Sequence, residues 1–258
     1  MTKKKTNEND AVFIPETEET TPTNEKTQII CILDGSGSMS FGDIIVEARG
    51  GFNKFLKEQK ELSDEASITV AIFDDGYDLL YDDVDINKVS DITDAEWSPG
   101  GMTALYDAIG KTINNVKANH KKKNVKKPDK VLVCIVTDGH ENCSKEYTQE
   151  AVQKLIKKCE KDDWNFMYLA ANQDAFDVGT SFGVSGGNTY TFTASMDGVN
   201  KMSNVMNTAS VNYRSMSKSS ANYSTVSKNL VEEPDEDVNL TGNIYTSDTL
   251  TVDNDNKE

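Results

Sequence analysis

The stretch "TQIICILDGSGSM", residues 27–39, decides the fold. Its first half is a short apolar run closed by Asp34-Gly35. A run of this length bounded by a turn signal reads as a buried strand. The second half sets Asp34, Ser36 and Ser38 at alternate positions, with Gly35 and Gly37 in the gaps. A tight turn accounts for the glycines. It does not account for three oxygen-bearing side chains on a repeat of two, because alternate residues of an extended segment project to one side.

Working outward, strand and helix patterns alternate. "FGDIIVEARGGFNKFLKEQKEL" carries Ile44, Ile45, Ala48, Phe52, Phe55 and Leu56 near helical spacing, and the Gly50-Gly51 pair weakens that helix without ending it. "ASITVAIFDD" reads as a strand and "YDLLYDDV" as its antiparallel edge partner. "ALYDAIGKTINNVKANH" is helical, "KVLVCIVTD" a buried strand and "EYTQEAVQKLIKKCEKD" an amphipathic helix. Then come the strand "WNFMYLAA", a short helix near 174–182 and a last strand "NTYTFT". A final helix carries Val199, Met202, Val205, Met206 and Ala209 at helical spacing, with Ser195 as its cap. This alternation predicts an α/β fold: a doubly wound, mostly parallel sheet with one antiparallel edge strand and helices on both faces. Such sheets bind ligands beyond the carboxyl ends of their strands, where strand order reverses. Asp34 and Asp138 both stand at such ends.

Three segments therefore bring small oxygen ligands to strand ends or loops: Asp34, Ser36 and Ser38; Thr103 in "SPGGMTALYDAI", just before a helix; and Asp138 in "VTDGHEN". Hydroxyls and carboxylates are hard ligands, suited to Mg²⁺, Mn²⁺ or Ca²⁺ rather than to zinc.

Composition bounds the rest. The 258 residues suffice for one sizeable α/β domain with tails, and only 36% are hydrophobic. Residues 1–26 are expected to be a disordered tail, 27–217 the domain, and 218–258 a polar, acidic, mostly disordered tail. Residues 231–258 hold nine acids against one lysine, half of the net charge of -16. That charge argues against a nucleic-acid partner. No apolar stretch approaches the length of a membrane span, and "MTKKKTNEND" has no apolar segment behind it, so a cytoplasmic location is expected. Cys31 and Cys134 sit inside apolar runs and read as buried hydrophobes, and the four cysteines match no zinc spacing.

The set D-G-S-G-S, then G-G-M-T, then T-D-G resembles the von Willebrand factor A (VWA) domain with its metal-ion-dependent adhesion site. All five positions of that pattern are filled, by Asp34, Ser36, Ser38, Thr103 and Asp138, across roughly residues 27–217. The resemblance implies a Rossmann-like fold, a bound divalent cation and an open coordination position completed by a partner's acidic side chain. It implies hydroxyl ligands at the serines and the threonine, with the acids tending to act through water. It also implies the intracellular bacterial or phage type of member, an adaptor or assembly part that sometimes works with a ring-forming AAA+ ATPase.

Other readings stay open beside it. The metal could only brace the loops of a structural or assembly subunit. A metal-assisted hydrolase is a third class, but the sequence offers no convincing general base. His140 reads as a solvent-facing loop residue and Cys143 as a bystander. Asn142 is expected to orient its loop through backbone hydrogen bonds. Asn172 and Asp174 read as rim residues or as a helix cap. The basic run "HKKKNVKKPDK" is expected at the far end of the sheet.

Overall fold

The structure is a computed structural model that describes residues 25–122, 126–171 and 174–219. Its strands are β1 (Thr27–Asp34), β2 (Ala66–Phe73), β3 (Tyr77–Asp85), β4 (Lys130–Thr137), β5 (Trp164–Ala171) and β6 (Thr189–Phe192). Its helices are α1 (Ile44–Lys60), α2 (Leu105–His120), α3 (Gln149–Glu160), α4 (Ala175–Ser181) and α5 (Met196–Ser215). The strands form one sheet in the order β3-β2-β1-β4-β5-β6, with β3 antiparallel to β2 and every other pair parallel. The order runs outward from β1 to β3, then restarts at β4 on the other side of β1. The reversal thus falls between β1 and β4.

β1 and β4 are buried along their whole length, as central parallel strands must be when helices cover both faces. Alternate residues divide them between two cores. Ile29, Cys31 and Leu33 join α1 and α5 through Phe52, Phe55, Met202 and Met206. Ile30 and Ile32 join α2, α3 and α4 through Ile109, Ile113, Ile156 and Ala175. Cys31 and Cys134 face each other across β1 and β4 as free, buried thiols.

The boundaries depart from the sequence reading in one place that matters. The helix expected from Phe41 begins at Ile44, and a 3-10 turn fills Gly37–Asp43. Gly42 takes φ 60° and ψ 33° there, a left-handed conformation that a helix cannot continue through. Lower in α1, Gly51 lets α5 approach closely. A Cβ at Gly51 would lie 2.9 Å from Ser203 Cβ and collide with Ser203 Oγ. Gly51→Val is therefore expected to lose about 1–3 kcal/mol in chemical denaturation, the usual cost of overpacking. Adding Ser203→Gly should recover part of it, and no recovery would place the strain elsewhere.

The described residues of the basic run, 120–122 and 126–130, lie at the amino end of the sheet, as expected. His120 meets the Gln28 side chain at 2.6 Å, and Lys126 pairs with Glu65 at 2.9 Å. Most of both expected tails lies outside the described residues. Glu25 and Lys26 are tied in, through Lys130 at 3.8 Å and through the Asp129 carboxylate, which accepts from the Lys26 amide at 2.8 Å.

Candidate metal site

Five side chains from three loops meet above the reversal point. Asp34 ends β1, Ser36 and Ser38 follow it, Thr103 stands two residues ahead of α2, and Asp138 is the residue after β4. Asp34 is fully buried, and Ser36 and Thr103 nearly so. The Asp34 carboxylate accepts from its own loop through the Ser36 amide at 2.7 Å and from Thr137 Oγ1 across the sheet. Ser36 Oγ lies 3.0 Å from Ser38 Oγ, and Ser38 Oγ donates to Asp138 Oδ1 at 2.6 Å. Thr103 joins them around Gly139. A Cβ built on that glycine would stand 2.9 Å from Thr103 Oγ1, 3.4 Å from Ser38 Oγ and 3.6 Å from Ser36 Oγ. Three hydroxyls thus converge on one small space that only a glycine leaves open.

The loops are fastened to one another by their backbones. The Gly35 amide donates to Phe73 O at 2.7 Å, the Gly100 amide to Gly35 O at 2.8 Å and the Gly37 amide to Gly101 O at 3.2 Å. Gly101 has φ 63°, and a side chain there would run into the Asp75 carboxylate. Trp97 donates its indole N–H to Asp34 O at 2.9 Å from a fully enclosed position. Asn142 grips Thr103 on both sides: its Oδ1 accepts from the Thr103 amide at 2.9 Å, and its amide donates to Thr103 O at 3.0 Å.

α2 has no side-chain cap of its own at Ala104. The loop after β4 caps it instead. Glu141 accepts from the Tyr106 amide at 3.0 Å, and Ser144 Oγ accepts from the Asp107 amide at 3.1 Å, which satisfies amides the helix leaves open. Asp107 returns the favour by accepting from the amides of Lys145, Glu146 and Tyr147. Burial would raise its carboxyl, but these amides outweigh burial and hold it below the usual carboxylate range.

The two site acids are shifted the other way. Burial pushes Asp34 up to about 6 against the bonds from Thr137 and Ser36, with the nearby Asp138 charge adding to the rise. Burial also raises Asp138, while the Ser38 hydroxyl pulls it down. Among the described residues, neither carboxylate pairs with a lysine, arginine or histidine. Two desolvated acids beside three converging hydroxyls form a site with negative potential and hard oxygen donors. The donor set fits a hard divalent ion. Groups of three or more His, Cys, Asp or Glu suited to a metal do not occur among the described residues, so hydroxyls have to carry part of any shell here.

No family model matches the chain, and no curated protein matches it. Solved structures do. Proximal thread matrix protein 1 from the mussel byssus, with a zinc occupied MIDAS motif, aligns at TM-score 0.51 and 17% identity over 72% of this chain and 46% of that one. The PilB minor pilin from Streptococcus sanguinis aligns at TM-score 0.54 and 9% identity over 74% of this chain and 62% of that one. The fold is that of a von Willebrand factor A domain. This chain spans less than two thirds of the length of either structure.

Within this VWA fold the geometry also decides the remaining candidates. Asp174 is a helix cap, accepting from the Phe176 and Asp177 amides of α4 at 3.0 and 3.2 Å. Asn172 lies outside the described residues. His140 is exposed, and burial with the Glu141 charge raises the Cys143 thiol. Asn142 does orient its loop, by gripping Thr103. One step of the sequence argument needs correcting. The extended geometry stops at Ser36 (φ -65°, ψ 165°), and Ser38 reaches the same point from inside the 3-10 turn. Sequence reading also missed Thr137, Trp97 and Glu141, which position the candidate site's residues. No helix of the described residues is long and apolar enough to cross a membrane.

Proposed function

We propose that this domain binds a divalent cation, Mg²⁺ ahead of Mn²⁺ or Ca²⁺, through Asp34, Ser36, Ser38, Thr103 and Asp138, and uses it to anchor a protein partner by an acidic side chain. The convergence of three hydroxyls on the space kept open by Gly139 carries this reading. The zinc occupied site of the mussel protein supports a divalent ion in this fold. Ser36, Ser38 and Thr103 supply neutral oxygens, and Asp34 and Asp138 supply the negative potential that draws a cation in. When bound, the ion contributes a positive charge that neutral ligands leave largely unoffset, and so a seat for a carboxylate.

Anchoring is favoured over bracing by the loops themselves. They are already joined by the Gly35–Gly100, Gly37–Gly101 and Thr103–Asn142 backbone bonds and by reciprocal capping of α2. A brace would be redundant there. A binding role is also favoured over hydrolysis, because the one histidine in these loops is exposed and burial raises the one thiol rather than activating it. The partner is a protein, with a ring-forming AAA+ ATPase or another assembly as the class to test first, and four free cysteines suit a cytoplasmic setting.

Gly139→Ala tests the cradle without removing any ligand. Its methyl would enter the space the hydroxyls surround. Titration calorimetry with Mg²⁺ should show a loss of roughly 10- to 100-fold, the range seen when a metal site keeps its ligands but loses their arrangement. Unchanged affinity would move the ion away from these five residues.

A further inference from the structure

Four large apolar side chains stand exposed among the described residues: Phe41, Val46, Met102 and Met196. Scattered singly they would need no explanation. Two of them stand in loops of the proposed metal site, and a third at the start of the helix that follows the first loop. Phe41, 72% exposed, follows Ser38 by three residues; Met102, 52% exposed, adjoins Thr103; Val46 lies in the first turn of α1. The face that seeks a carboxylate is therefore rimmed by apolar surface on its first and second loops. A fitting ligand joins an acid to aliphatic neighbours.

The chain's own C-terminal tail carries such a segment, Leu250-Thr251-Val252-Asp253. The geometry of the tether favours it. α5 ends at the amino end of the sheet, where Lys130 Nζ donates to Arg214 O at 2.7 Å. An eight-residue strand separates that end from the metal site, about 27 Å at strand rise, with the loops adding to it. Asp253 follows Ser219 by 34 residues, and a random-coil chain of that length has an r.m.s. span of roughly 32 Å. Effective concentration is highest when the tether's span matches the gap. The earlier acids Glu232 and Glu233 follow Ser219 by only 13 and 14 residues, and a coil of that length spans roughly 20 Å, short of the gap.

Resting on the metal reading above, we propose that Asp253, flanked by Leu250 and Val252, docks in cis on the metal-bearing face between Phe41 and Met102 and competes there with an outside partner's carboxylate. Hydrogen exchange of the full chain, read by mass spectrometry with saturating Mg²⁺ and with chelator, tests it. Amides of residues 250–255 should exchange about fivefold or more slowly in Mg²⁺, independently of protein concentration. Asp253→Asn should remove that protection at Mg²⁺ concentrations that still saturate the site, and Phe41→Ser should weaken it. Equal exchange in both conditions, in a protein that calorimetry shows to bind Mg²⁺, overturns the docking and leaves the metal site standing. A protein that binds no Mg²⁺ overturns both. Protection that grows with concentration overturns docking in cis and assigns the tail to a second copy. Protection that survives Asp253→Asn removes Asp253 from the contact.

Discussion

Asp138→Ala is expected to cost roughly 100-fold in Mg²⁺ affinity, at the upper end of what such sites lose, while the fold survives. Asp138 stands just past β4, whose eight residues are all buried and whose residues 131–136 pair on both sides. Removing its side chain breaks one bond, from Ser38 Oγ, and no sheet contact. Its carboxylate is already disfavoured by burial, so its loss should leave the metal-free thermal midpoint level or slightly higher. The same variant separates the two readings of the ion. As an anchor, the ion should take the partner with it: an interaction that chelator abolishes should also be absent in Asp138→Ala, although the variant is folded. As a brace, its loss should lower the midpoint and leave the partner bound. Measuring affinity, midpoint and partner retention on this one protein decides between them. A partner retained in chelator would sink the anchoring mechanism even if the ion is present.

What the sequence made legible were residues whose role depends on near neighbours. The period of two in Asp34-Gly35-Ser36, the apolar run before it and the spacing of Phe52, Phe55 and Leu56 are local patterns, and local sterics turn them into the strand and helix observed. Thr103 and Asp138 were legible because each sits in a short motif at an element's edge. The supports were not legible, because each acts over a long separation in the chain. Trp97 reaches Asp34 across 63 positions, Thr137 reaches it across 103, and Glu141 caps a helix that starts 36 residues earlier, through Tyr106 at a separation of 35. A tryptophan in "DAEWSPG" carries no local sign that its indole will hold a strand-end carbonyl. The start of α1 was misplaced for a related reason. Periodicity extends through Phe41, but that residue is exposed and Gly42 turns left-handed, so the first loop keeps a separate turn in which Ser38 can face Asp138.

Arg214→Met is expected to cost about 3–5 kcal/mol of stability, the penalty for removing one partner of a buried ion pair. An arginine in the last turn of a helix ordinarily complements the helix dipole from an exposed position. In the structure it is 1% exposed and fully engaged. Its Nε and Nη2 donate to the two Asp64 carboxylate oxygens at 2.9 and 2.8 Å, and its Nη1 donates to Gln59 O at 2.6 Å. Methionine would fill the stem's volume but leave the Asp64 carboxylate and the Gln59 carbonyl without their donor. Asp64→Asn added to Arg214→Met should recover part of the loss, since the orphaned charge is then gone. The urea midpoint should fall with the slope unchanged, because the same surface is still exposed on unfolding. A loss under about 1 kcal/mol would mean that water serves the guanidinium as it does in a surface pair. Mg²⁺ affinity, measured well below the lowered midpoint, should match the parent. The three site loops are held by bonds among themselves at the carboxyl end of the sheet, and Arg214 fastens α5 at the other. An affinity that fell with stability would show instead that α5 and the site move as one unit.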